Sequence, residues 1–264
     1  MLCGGEPLVV PYFFEIAEQL GRAGVQLKIE TTGQRLDDAA ARRLAALPVR
    51  SIQVSLDGDT PETYARQRAG GSLAKAHAAC RAVRATRLPL EVTFAPTRLN
   101  IHEARAVIDR ACSFGAFRFN TGALMRIGTA ARRWGHLQPD REQYRDFLAL
   151  LQEQARVRRG EIELCFQPFF LQEALRAALD QPPATLLILP NGRVKVAAAL
   201  PYTCADLRTH TLWQAWDSYR RAWHSDTILH AVGRAITSGS RHAQANSWVA
   251  LPGIEGSKLV EGRS

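Results

Sequence analysis

The opening Met1-Leu-Cys-Gly-Gly-Glu-Pro-Leu8 places two glycines and a carboxylate directly in front of a helical stretch. Glycines let a backbone approach a ligand closely, and Glu6 can take an ammonium group or ribose hydroxyls. The same residues also suit a plain Gly-Gly turn, with Glu6 and Pro7 where a helix start favours both. Polar groups recur downstream in Thr31-Thr-Gly33, Ser55-Leu-Asp-Gly58, Arg68 and Ala95-Pro-Thr-Arg-Leu-Asn100. Each has a structural reading beside the ligand one. Ser55 and Asp57 can form a turn into Gly58, Arg68 can be a solvated charge at a helix end, and Asn100 can cap a helix.

These groups recur at the ends of strand patterns. Residues 25–31, 51–56, 90–94 and 116–120 alternate apolar and polar side chains, as half-buried strands do. Helical stretches lie between them: 8–21 after Pro7, 38–46 behind the capping pair Asp37 and Asp38, 73–83, and 101–112. Strands alternating with helices predict parallel βαβ units, as a barrel or a doubly wound sheet. In either, ligands sit beyond the carboxyl ends of the strands. Beyond Gly128 the pattern changes. A helix is expected from Asp140 to Arg159, a strand near 161–166, a hairpin around Asn191-Gly192 and a helix over 211–223. From Ser238 onward glycine and serine accumulate, which predicts a loose tail.

Composition narrows the partners. No apolar run approaches a membrane span and no secretory leader opens the chain, so a cytoplasmic protein without a membrane partner is expected. The net charge of +9 comes from arginines scattered along the chain without a sustained run, which argues against a nucleic-acid face. Cys3, Cys80, Cys112, Cys165 and Cys204 lie at least 32 residues apart, with no paired spacing. That excludes a secreted disulfide framework and a local zinc knuckle.

Gly-Gly-Glu-Pro-Leu, then Thr-x-Gly, then Ser-x-Asp-Gly, in this order and cadence, resembles the radical S-adenosylmethionine (radical SAM) enzymes. Within them it is similar to the SPASM-type branch, whose members modify peptides or build peptide-derived cofactors. The resemblance implies an α/β fold: a partial parallel (β/α)6-type barrel over 1–134 lacking its first βα unit. A degenerate SPASM-like extension over 135–237 and the tail over 238–264 would follow. It implies S-adenosylmethionine as cofactor, held by Gly4, Gly5, Glu6, Ser55, Asp57, Arg68 and Asn100. It further implies a peptide or small-molecule substrate and an electron-donor protein. The parent activity would be reductive cleavage of S-adenosylmethionine to a 5′-deoxyadenosyl radical that abstracts hydrogen.

Two departures accompany the matches. The family's [4Fe-4S] cluster needs Cys-x3-Cys-x2-Cys ahead of the Gly-Gly-Glu motif, and only Met1, Leu2 and Cys3 precede it here. The expectation is therefore an N-terminally truncated chain, inactive as written, with no metal ligand and no catalytic residue of its own. A non-catalytic scaffold for a leader peptide or partner enzyme is the alternative. In the extension, Ala197 or Ala198 stands where a cysteine usually does, so no auxiliary cluster is expected. Tyr202 and Trp213 are expected to pack.

Overall fold

The computed structural model describes residues 1–237 and 248–252. Two compact units divide it: Met1–Leu124 with Leu137–Gln167, and Met125–His136 with the described residues from Pro168 on.

The first unit is a five-stranded parallel sheet in sequential order: β1 (Leu27–Thr31), β2 (Val49–Ser55), β3 (Leu90–Phe94), β4 (Arg118–Thr121) and β5 (Glu163–Cys165). Leu2 adds a single parallel bridge to Ile29 beside β1. The helices are α1 (Phe13–Arg22), α2 (Asp38–Ala45), α3 (Pro61–Gln67), α4 (Leu73–Ala85), α5 (Ala104–Ser113) and, ahead of β5, α8 (Arg141–Val157). Their starts follow the sequence. Asp37, Thr60 and Ser72 accept N-terminal amides of α2, α3 and α4, and Asp140 forms a capping box with Gln143 on α8.

Sequential parallel strands joined by crossovers of one hand carry their connecting helices on one face of the sheet. The alternating pattern follows from that. Ile29, Ile52, Val54, Val92 and Phe119 are buried towards the helices. Lys28, Glu30, Ser51, Gln53, Ser55, Glu91, Thr93, Arg118 and Asn120 share the other face by strand register. A doubly wound sheet would need apolar residues on both faces, so the polar one selects the barrel-type arrangement. The unit boundary near Gln167, rather than 134, has the same origin, because β5 pairs with β4 and draws α8 with it.

The second unit holds α6 (Gly128–Arg132), α7 (Trp134–Leu137, whose last residue belongs to the first unit), α9 (Leu171–Asp180), α10 (Leu212–Trp223), α11 (Asp226–Thr237) and a four-stranded sheet. Its strands are β6 (Leu187–Ile188), β7 (Arg193–Lys195), β8 (Tyr202–Asp206) and β9 (Val249–Ala250). The β6–β7 hairpin turns at Asn191-Gly192, where Gly192 has φ +83°. Trp213 departs from its expected packing role: it is 78% exposed. The buried face of α10 runs through Ala215, Tyr219, Ala222 and Trp223 at helical spacing, which turns Trp213 outward. The predicted tail falls outside the described residues over 238–247 and 253–264. Within it, Val249–Ala250 pairs with β8 and Leu251 is buried, against the expectation of a loose segment.

Phe119 is fully buried and stacks on Phe94, which also meets Phe147 across the sheet–helix layer. Phe119→Ala should cost about 3–5 kcal/mol, read as a lower midpoint in chemical denaturation.

Candidate functional site

The expected ligand residues gather at the carboxyl end of the parallel sheet. Gly4 (φ +89°) and Gly5 (φ +58°) are consecutive left-handed residues on an exposed loop. A Cβ at either would meet nothing within 4 Å, so the need for glycine there is conformational, not steric.

Glu6 fastens that loop to the end of β1. Its carboxylate accepts from Thr31 Oγ1 (2.8 and 2.9 Å), from the Thr32 amide (2.7 Å) and hydroxyl, and from the Leu8 amide (3.2 Å). A carboxylate offers about four acceptor sites, so these bonds occupy it. Thr32 is held in turn from the next layer. Gln34 Nε2 donates to the Thr32 carbonyl, to Tyr64 Oη and to the Ser72 carbonyl, while Gln34 Oε1 accepts the Ser72 amide.

Asp57, Arg68 and Asn100 form a second knot. Asp57 is buried; one oxygen accepts the Ala95 amide (2.8 Å) and the other accepts Arg68 Nε (2.6 Å). Asn100 is 0% exposed. Its Oδ1 accepts the Thr97 amide and hydroxyl, and its Nδ2 donates to the carbonyls of Asp57 and Ala95. It thus ties the end of β2 to the end of β3, and makes no side-chain cap bond to the turn it precedes. Asp57 points Arg68 Nε inward and leaves the rest of a guanidinium that is 27% exposed. Ser55 ends β2 on the polar face, opposite Thr93, with its hydroxyl uncommitted among the described residues.

Two features here had no expectation attached. Glu103 accepts the amides of Asp59 and Thr60 and the hydroxyls of Thr60 and Thr63, clamping the loop after β2. Across the polar face, Glu91 accepts Lys28 Nζ (2.7 Å), Ser51 Oγ (2.6 Å) and Asn120 Nδ2 (2.8 Å), and Asn120 also donates to Gln53 (3.0 Å). Burial alone would push the Glu91 carboxyl up, but the bonds from Lys28, Ser51 and Asn120 hold it below its ordinary value. Glu30, on the same face, is raised by burial first, with Glu91 adding to the rise against Lys28. Charges at alternate strand positions carried the signal for this network.

The five free thiols are not gathered as cluster ligands: Cys3 is exposed, Cys80 and Cys204 are buried, and no three lie together among the described residues. Burial pushes Cys80 and Cys204 up to about 12 and Cys112 up to about 11, and Cys165 is also raised by burial. A cluster ligand must be a thiolate. Among the described residues, no group of three His, Cys, Asp or Glu could hold a metal ion. Nor is any described helix long and apolar enough to cross a membrane.

Asn100→Ala strands the Thr97 amide and two carbonyls, and should lower stability by about 2–4 kcal/mol in urea titration. The two glutamates should respond to pH with opposite signs. Glu91 is depressed on folding, so its contribution is present above the ordinary carboxyl range and is lost as pH falls through the folded value. Glu30 is raised, so its ionisation opposes folding as pH climbs past that range. Glu91→Gln should therefore destabilise at neutral pH and Glu30→Gln should stabilise. In thermal melts across pH, the Glu30 difference should vanish as pH falls to the ordinary carboxyl range of about 4.3, and the Glu91 difference should fade only below it.

Comparison with known proteins agrees with this geometry. Residues 1–111 match the radical SAM superfamily. The mycofactocin maturase MftC of Mycobacterium ulcerans is 33% identical over 142 residues, covering 52% of this chain and 37% of that protein. The PqqA peptide cyclase of Ruegeria pomeroyi is 26% identical over 237 residues, covering 87% and 62%. The chain thus spans between about a third and two thirds of the length of these relatives. Streptococcus suis SuiB bound to S-adenosylmethionine shares the fold with TM-score 0.64 at 11% identity, over 87% of this chain and 55% of that one. Native anSMEcpe with bound AdoMet and Cp18Cys peptide gives 0.59 at 13% identity, over 89% and 69%. A parallel sheet of this topology and a Gly-Gly-Glu loop fastened at its carboxyl end thus accompany a radical SAM superfamily match over residues 1–111, and the chain is similar to peptide maturases of that superfamily.

Proposed function

We propose that these residues form the adenosylmethionine-holding part of an enzyme that modifies a peptide. The observation that carries this reading is the pair of exposed left-handed glycines at the strand ends that also present Ser55 and Arg68. The Gly4 and Gly5 peptide groups would take the amino end of the nucleotide's methionyl part. Arg68 would take its carboxylate by a two-point clamp, for which a guanidinium fork is suited. Ser55 would add a hydroxyl to that carboxylate or to the ribose. Glu6, Asp57 and Asn100 act one step back, because their polar atoms already hold the loop, the guanidinium and the strand ends. Bound there, the sulfonium nucleotide supplies the adenosyl group from which this family draws a hydrogen-abstracting radical.

A peptide as the second ligand is supported by the relatives, one of which is named a peptide cyclase, and by SuiB, solved bound to its precursor peptide SuiA. The five free cysteines suit a reducing, cytoplasmic setting. Because the thiols present do not fit a cluster, radical chemistry needs three thiolates from outside these 264 residues, and the chain alone is proposed to bind without cleaving. The same observation favours a second reading, a binding protein on this scaffold with no chemistry at all.

Calorimetry of the full chain with S-adenosylmethionine should register binding, weakened about 5–10-fold by Arg68→Lys or by Ser55→Ala. Absence of heat from a folded preparation would overturn the reading. Anaerobic reconstitution with iron and sulfide should leave the chain without visible cluster absorbance. A stoichiometric cluster would instead exclude the purely binding role.

A further inference from the structure

The opposite end of the same sheet carries a second site. A cavity of about 860 Å³ opens where β2, β3 and β4 begin, and four arginines line it: Arg50, Arg84, Arg87 and Arg118. Arg118 is committed. It donates to Glu163 through Nε (2.8 Å) and Nη2 (2.6 Å), and lies over the Phe117 ring at 5.1 Å. Arg50, Arg84 and Arg87 have no carboxylate partner among the described residues. Glu91, on the floor, is already neutralised by Lys28. The cavity therefore holds an excess of about three positive charges.

Two details of the backbone accompany these guanidinium groups. Arg87 has φ +62°, the one left-handed non-glycine among the described residues. It follows the C-cap of α4, where glycine would carry no conformational cost. Arg84 lies against Gly115: a Cβ there would fall 2.5 Å from Arg84 Nη1. A left-handed arginine and a left-handed glycine, Gly115 with φ +69°, line one cavity.

We propose that this cavity binds an acidic segment of a separate polypeptide. By register Arg118 is level with Gln53, so Arg50 lies two strand spacings, about 10 Å, to its side and about 10 Å further back along the strands, a separation that a single carboxylate or phosphate cannot span. An extended peptide repeats its side chains on one face about every 6.7 Å, so alternate carboxylates can meet successive guanidinium groups, with Leu88 and Phe117 as apolar lining. Nucleic acid fits less well, because stacking of successive bases needs several aromatic faces and Phe117 is the one aromatic residue lining the cavity. A second copy of this chain fits poorly too, with a net charge of +9. The site is at the other strand ends from Ser55 and Arg68, so the proposal does not rest on nucleotide binding.

The probe is a fluorescein-labelled peptide of alternating glutamate and serine, about eight residues long, read by anisotropy with the full chain. It should bind at low salt and weaken as salt rises from about 50 to 300 mM, while its glutamine counterpart should not bind. The triple variant Arg50→Gln, Arg84→Gln, Arg87→Gly should lose about tenfold in affinity. Arg87→Gly alone should lose part of that with an unchanged or higher Tm, which separates binding from folding. A control triple, Arg22→Gln, Arg42→Gln and Arg141→Gln, removes the same charge elsewhere and should bind as the parent does. Equal loss in both triples would overturn the proposal, as would unchanged binding in the cavity triple. Tighter binding of inorganic phosphate or of an oligothymidylate of equal charge would also overturn it.

Discussion

The hydrogen bonds of the Glu6 carboxylate are what the carboxyl end of this sheet depends on. Two consecutive left-handed glycines have little conformational preference of their own, and each loses more freedom on ordering than any other residue. Glu6 offsets that cost by joining the loop to Thr31, which the β1–β2 ladder already holds, and to Thr32, which Gln34 holds. The charge is matched by hydroxyls and amides, so no cation is consumed in the fastening. A carboxylate in this position serves a site best by being fully occupied: it then fixes its neighbours without competing for the ligand.

The same logic recurs at each loop around that end. Asp57 is satisfied by one amide and one guanidinium, and Glu103 by two amides and two hydroxyls. Burial pushes the Glu103 carboxyl up, yet the bonds from Thr63, Asp59 and Thr60 hold it below its usual value. An ionised group bonded in this way costs far less to bury than a bare one. The middle of the polar face follows a different balance. Glu91 is fully satisfied, whereas Glu30 gains no comparable set of donors and is raised instead. One strand face thus contains both outcomes of placing an acid beside a sheet.

Much of this was legible in the residues. Alternation gave the strands within about two residues, and Asp37 announced its helix through a side-chain cap. The gathering of Gly4, Gly5, Glu6, Ser55, Asp57, Arg68 and Asn100 at one sheet end followed from the βα cadence, since every parallel strand delivers its following loop to the same side. Their division of labour did not follow. Whether Asn100 caps, binds or staples depends on the Asp57 and Ala95 carbonyls, which lie 43 and 5 residues away. Spacing along a chain carries no information on such pairings. Trp213 shows the same limit on a helix: one residue's rotation decides between core and solvent, and Trp216 and Trp223 took the inward positions.

A parallel sheet sorts its loops into two sets, and this chain uses the two differently. At the carboxyl end, acids are satisfied by hydrogen bonds, beside an exposed pair of glycines and one guanidinium held through its Nε. At the amino end, arginines are left without acids, one of them in a backbone conformation it does not favour. Charges that stabilise a fold are normally paired or spread over solvent, where each contributes little. Several like charges lining one cavity repel each other, a cost that grows as water is excluded between them. Folding gives no return on that arrangement, and an anionic partner does. The physical asymmetry between the two ends therefore separates residues placed for the fold's own sake from residues placed for something that is not part of it.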